Sequence, residues 1–125
     1  MKIKISILGS TGSVGVSTLK IIDRKKNDFN INLLSANKNF NLICNQIKKY
    51  KPNFFLIFNR EVFEKVKKKF KKRKVKIINK FDKNSVIKKS DITVSAIPGI
   101  SGLEPTINMT HLQKNLLNIN LVIFG

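Results

Sequence analysis

Three glycines spaced in threes, Gly9, Gly12 and Gly15, break the chain within the stretch ILGSTGSVG. An apolar run precedes them and a helical pattern follows. Where a strand enters a helix through such a turn, the first helical amides point outward with partial positive charge, and the missing side chains let an anion approach the backbone. The spacing assigns Gly9 the sharp exit from the strand, Gly12 the close approach of a diphosphate and Gly15 the packing of helix on sheet. Thr11 and Ser13 add hydroxyl donors. A mononucleotide P-loop would require Lys and then Ser or Thr directly after the last glycine. Val16 and Ser17 stand there instead, so the turn suits a dinucleotide, with a ligand-free tight turn as the plainer account.

The second chemical signal lies where the next strand should end. A site for NAD places Asp or Glu about 20 residues past the turn, to accept from the ribose 2′-hydroxyl, whereas a 2′-phosphate would be repelled there and wants a cation. Ser35 occupies that place, and SANKN around it contains no acid but offers Lys38 between Asn37 and Asn39. These residues point to NADP(H), against the simpler account of one more exposed lysine. A third glycine-containing loop, SAIPGISG, follows a later strand. In a doubly wound sheet it would face the first loop, with Ala96, Ile97 and Gly99 lining the cofactor and Gly102 turning the chain.

The elements that must hold these loops are legible as alternating patterns. Strands are predicted at Lys2 to Leu8, Phe29 to Ala36, the FFLIF run from Phe54, Val75 to Asn79, Asp91 to Ile97, and within LLNINLVIFG at the end. Helices are predicted from Val16, Leu19 and Ile22, with Ile21 as a further candidate for that stripe, and from Phe40, Ile43, Ile47 and Tyr50. A third helix spans Arg60 to Lys74, with Val62, Phe63, Val66 and Phe70 inward. Short helices are expected over DKNSVIKKS and from Thr106 to Asn115. Strands alternating with helices imply a doubly wound, mostly parallel α/β sheet with helices on both faces, in a single domain over residues 1–125.

Composition bounds the partners. The net charge of +18 invites nucleic acid or an anionic surface, but only three of the 25 basic residues are Arg, and Arg is the usual reader of phosphates and bases. The run KVKKKFKKRK, Lys65 to Lys74, puts Val66 and Phe70 on the buried stripe, leaving a solvated lysine face with no aromatic for stacking bases. A cationic nucleic-acid-binding module is therefore a rival reading rather than the expectation. No apolar run is long enough to span a membrane, and the start of the chain has no secretory or transit pattern, giving an expected cytoplasmic address. Cys44 is the only cysteine, expected as a small core residue on the second helix. His111 is assigned no role. The seven acids, Asp23, Asp28, Glu61, Glu64, Asp82, Asp91 and Glu104, form no evident metal constellation.

With these loops in hand, the chain resembles the amino-terminal NADPH-binding domain of the 1-deoxy-D-xylulose 5-phosphate reductoisomerases. The resemblance rests on GSTGS-hydrophobic-G at Gly9 to Gly15, ANKN at Ala36 to Asn39, and AIPGISGLEPT from Ala96 to Thr106. Asn37 stands where the family commonly has Gly, a mild departure because Asn tolerates left-handed backbone. The resemblance implies a Rossmann-like fold, NADPH held by Thr11, Gly12, Ser13 and Val14 at the turn and by Asn37, Lys38 and Asn39 after the second strand, and no catalytic or metal residue in this chain. It also implies, for the full-length family, Mg or Mn, a phosphorylated sugar substrate that is isomerised and then reduced by NADPH to 2-C-methyl-D-erythritol 4-phosphate for isoprenoid synthesis, and a homodimer. The family's next motif, ANKES, is not completed after Asn120. The metal, substrate and carboxy-terminal domains are then expected to be absent, through truncation, frameshift or division into a split enzyme whose partner supplies the catalytic half. The expectation is cofactor binding without turnover by this polypeptide alone. The semialdehyde and acyl-phosphate dehydrogenases resemble the opening turn too, but need a nucleophilic cysteine where Cys44 is badly placed.

Overall fold

The computed structural model describes residues 2–80, 90–96 and 121–124. In chain order they form β1 (Ile3–Leu8), α1 (Ser13–Arg24), β2 (Phe29–Ala36), α2 (Phe40–Tyr50), β3 (Phe54–Ile57), α3 (Arg60–Lys69), β4 (Lys76–Ile78), β5 (Ile92–Ser95) and β6 (Leu121–Phe124). The six strands make one sheet in the order β4-β3-β2-β1-β5-β6, and every neighbouring pair is parallel. This is a Rossmann-like α/β sheet. Strand order runs outward from β1 in one direction through β2, β3 and β4, then restarts on the other side with β5.

Parallel strands cannot be joined by a hairpin, so each step from β1 out to β4 carries a helix, and crossovers of one hand moving one way put their helices on one face. The packing shows this. Ile5 and Ile7 of β1, Ile31, Leu34 and Ala36 of β2, and Phe55 and Ile57 of β3 form one buried cluster with Leu19 and Ile22 of α1, Ile43 and Ile47 of α2, and Phe63 and Val66 of α3. The opposite face carries Leu8, Leu33, Phe54 and Leu56. Each full burial of a Leu, Ile or Phe contributes about 1.5–3 kcal/mol. The helices expected from Thr106 to Asn115 and over DKNSVIKKS, and His111, fall outside the described residues.

β1 and β2 lose step once. Ile5 pairs with Ile31 but Ser6 pairs with Leu33, so Asn32 is the extra residue of a bulge. The slip rephases β2, bringing Leu34 and Ala36 to the face of Ile31. Asn32 itself is buried, donates through Nδ2 to Ser90 Oγ at 3.2 Å, and accepts at Oδ1 from Asn53 Nδ2 at 3.3 Å. Ser90 and Ser6 also share a short hydroxyl hydrogen bond. Buried polar groups are tolerated because each is bonded.

Two helical expectations are revised. Ile21 is 59% exposed, so the stripe of α1 is Leu19 and Ile22 with half-buried Val16. The third helix stops at Lys69 rather than Lys74: Phe70 caps it, its N–H donating to Val66 O. Extending that helix would stack further lysines at three- and four-residue spacing, where like charges repel, and Phe70 reaches the core without it.

Candidate functional site

β1 ends at Leu8, and the chain turns at Gly9 with φ 83°. A residue with a Cβ would be strained there by about 1–2 kcal/mol. The turn is then tied to β2. Gly9 N–H reaches both the carbonyl oxygen and the Oγ of Ser35 at 3.0 Å, and Ser10 N–H donates to the same carbonyl at 2.8 Å. Ser10 is fully buried. Its Oγ donates to Gln46 Oε1 at 2.7 Å, while Gln46 Nε2 donates back to Ser10 O at 2.8 Å. The second helix thus grips the first loop by two hydrogen bonds.

Gly12 is the N-cap of α1, in extended conformation, and its carbonyl accepts from Val16 N–H at 2.9 Å. The amides of Ser13, Val14 and Gly15 have no acceptor within the helix, as at any helix start. Neither a side-chain cap nor an acidic residue occupies the first turn. Gly12, Ser13 and Val14 are exposed and Thr11 is half-buried. The positive end of α1 therefore faces solvent uncompensated, a setting suited to an anion. Among the described residues a Cβ on Gly12 would meet only Gly9 O, at 3.8 Å, so they leave the space before it open. A Cβ on Gly15 would lie 2.1 Å from Gly9 O and 2.7 Å from Ser10 Cα. The third glycine serves packing, as its spacing predicts, though the surface it meets is the turn itself.

The loop after β2 lies on the same rim. Asn37, Lys38 and Asn39 are all exposed. Asn39 caps α2, its Oδ1 accepting from Leu42 N–H at 3.2 Å, so its side-chain oxygen is committed to the helix. Lys38 makes no ion pair among the described residues. The carbonyls of Ala36 and Asn37 accept from Phe58 and Asn59 N–H, both at 3.1 Å, which holds the loop against the end of β3. On the other flank, Ala96 N–H donates to Leu8 O at 2.7 Å, so the chain leaving β5 starts beside Gly9. Ala96 is buried; Ile97, Gly99 and Gly102 lie outside the described residues, as does Asn120. The point where strand order reverses, between β1 and β5, thus coincides with the glycine turn.

Two of the structure's working residues escape the motif reading, Ser35 and Gln46. Ser35 is noted above only as the place where an acid is missing, yet it is buried and anchors the turn. Gln46 lies beside Ile47 on the buried stripe of α2. A polar residue on such a stripe must find a partner, and that was the available signal. Cys44 is buried on the same helix; burial pushes its thiol above the ordinary value of 9.0, with Lys69 and Lys48 pulling weakly the other way. Burial and a raised thiol make Cys44 a poor nucleophile, in keeping with the expectation that it is badly placed for dehydrogenase chemistry. The residues from Lys65 to Lys74 are exposed except Val66 and Phe70, as expected. Among the described residues no group of three or more His, Cys, Asp or Glu could hold a metal ion, and no helix is long and apolar enough to cross a membrane.

A parallel sheet with an open, glycine-lined helix start at its switch point defines a dinucleotide-binding α/β domain of the Rossmann type. The sequence profile of the family described as 1-deoxy-D-xylulose 5-phosphate reductoisomerase matches residues 5–121, and the chain belongs to that family. It is 34% identical over 122 residues to the 1-deoxy-D-xylulose 5-phosphate reductoisomerase of Buchnera aphidicola subsp. Schizaphis graminum, and 39% identical over 123 residues to that of Wigglesworthia glossinidia brevipalpis. Each match takes in 94% of this chain and 31% of the relative, so the chain spans about a third of the length of the curated relatives it matches. The Zymomonas mobilis reductoisomerase, solved in complex with NADPH, superposes on all of this chain and 32% of its own, with a TM-score of 0.84 and 23% identity.

Proposed function

We propose that the chain is the NADPH-binding part of a 1-deoxy-D-xylulose 5-phosphate reductoisomerase. The observation that carries this reading is the open amino terminus of α1 at the switch point, paired with a loop after β2 that presents Lys38 and no acid. In this reading the amides from Thr11 to Val14 hold the diphosphate of NADPH. Lys38, with the backbone and amides of Asn37 and Asn39, holds the 2′-phosphate. Bound NADPH supplies a hydride; the protein's share is to fix where the nicotinamide points.

The residues present fit that cofactor. Gly12 leaves room for a diphosphate against the backbone, and the Ser35 and Gln46 bonds hold the turn before any ligand arrives, so little ordering cost falls on binding. Among the described residues no cluster of metal-ligating side chains is placed to hold magnesium or manganese. Isomerisation and reduction of the sugar phosphate, assembly as a homodimer or with a separate catalytic half, and a cytoplasmic setting belong to this reading for the whole enzyme. Sequence outside this chain would supply the metal and substrate groups.

Isothermal titration with NADPH and NADH tests the reading. The expected result is preference for NADPH, reversed or abolished by Lys38→Glu, with only moderate weakening as salt rises. No affinity for NADPH, or discrimination unchanged in Lys38→Glu, overturns it. Binding of nucleic acid that collapses steeply with salt, in place of nucleotide binding, would favour the cationic-module rival.

A further inference from the structure

Phe58 joins neither apolar cluster of the fold. The four residues of β3 before it are all buried, yet Phe58, the next one, is 39% exposed. Of the four exposed large apolar side chains among the described residues, Ile3, Val14, Ile21 and Phe58, two stand on the carboxyl-terminal rim of the sheet: Val14 in the glycine turn and Phe58 at the end of β3.

The backbone carrying this ring is held on both sides. Phe58 N–H donates to Ala36 O at 3.1 Å, and Asn79 Nδ2 reaches Phe58 O at 3.5 Å. The following residue, Asn59, donates its N–H to Asn37 O at 3.1 Å and caps α3 by accepting from Val62 N–H at 3.0 Å. Phe58 is thus anchored one strand outward from the loop that presents Lys38. Neighbouring strands lie about 4.8 Å apart, the same scale that separates a purine ring from a substituent on the 2′-oxygen of its own ribose. A part-exposed aromatic on a rim fixed by these bonds, one strand out from a loop whose Lys38 makes no ion pair among the described residues, matches a nucleotide that carries both a flat base and a phosphate.

We infer that Phe58 is the platform on which the adenine ring stacks, so that β3 recognises the base while β2 recognises the 2′-phosphate. The inference rests on the reading of this chain as an NADPH-binding domain and deepens it. Stacking on an aromatic side chain is insensitive to the rest of the dinucleotide. The effect of Phe58 should therefore appear with any ligand that carries adenine and vanish with one that lacks it.

Three probes test this on the full 125-residue chain: NADPH, adenosine 2′,5′-bisphosphate, and reduced nicotinamide mononucleotide, which has no adenine. Phe58→Ser is expected to weaken the first two by about 5- to 100-fold and to leave the third unchanged, while Phe58→Tyr keeps parental affinity. The chain contains no tryptophan, so Phe58→Trp provides a second readout: adenosine 2′,5′-bisphosphate should quench the emission of the introduced indole at saturating concentration. If the parent binds NADPH in a Lys38-dependent way but Phe58→Ser binds the bisphosphate equally well and the indole is not quenched, Phe58 is no platform and the domain reading stands. If the parent binds no NADPH, both fall.

Discussion

Replacing Gly15 with alanine separates a packing role from a ligand role within one turn. The added methyl would sit 2.1 Å from Gly9 O and 2.7 Å from Ser10 Cα, both backbone atoms. Ordinary contact begins at 3.4 Å, so α1 and the turn must separate by about 1.3 Å at that point. Neither side yields easily: Gly9 and Ser10 are bonded to Ser35, and Ser10 is gripped by Gln46. Overpacking of this kind costs about 1–3 kcal/mol. Without the clash, alanine inside a helix would be favoured over glycine by about 1 kcal/mol, so the sign of the change is itself the test. Thermal unfolding followed by circular dichroism should show Gly15→Ala lowering the midpoint by roughly 5–15 °C. NADPH affinity, measured well below that midpoint, should also fall, because the displaced amides no longer converge. Gly12→Ala is the control. Its methyl meets nothing closer than 3.8 Å among the described residues, so the midpoint should hold within about 2 °C while NADPH affinity drops. A Gly15→Ala protein as stable as the parent would refute this account of the turn.

Two further outcomes follow from buried groups. Gln46→Leu leaves the Ser10 hydroxyl and carbonyl without their partner on α2, and should cost about 1–3 kcal/mol by chemical denaturation; a variant as stable as the parent would show that the grip adds nothing. Cys44, with its thiol pushed above 9.0 by burial, should resist alkylation in the native chain at neutral pH and react once denaturant unfolds it. Because the unfolded thiol ionises first, its contribution to stability is complete below the unfolded value and is lost as pH climbs above about 9. A Cys44→Ala chain should lose less stability over that alkaline interval, and equal loss in both would refute the assignment.

The sheet was legible because its strands are short apolar runs cut off by glycine, proline and polar stretches, and because helix stripes at three- and four-residue spacing named the inward side chains. Gly9 and Gly15 could be given their roles from spacing alone, since a left-handed backbone and a crowded helix start each admit few alternatives to glycine. Other features depend on contacts between residues distant in sequence. Asn32 reads as one more position of an apolar strand until its partners on other elements, Asn53 and Ser90, are in place. Ser35 drew notice as a missing acid, whereas its bonds go down to Gly9. The early end of α3 came from charge: periodicity continues to Phe70, but four consecutive basic residues beyond it gain nothing from staying helical. Ile21 was ambiguous for the opposite reason, because adjacent isoleucines leave the edge of a stripe undefined.

The second helix touches both loops proposed to hold phosphate, and this gives the domain a ruler. One of its residues, Gln46, secures the glycine turn, and its N-cap, Asn39, closes the loop that carries Lys38. Two points fastened to the same rod keep their separation however the surrounding loops breathe. A ligand is therefore gauged by the span between its charged groups, and one with the right groups at the wrong interval can engage only one end.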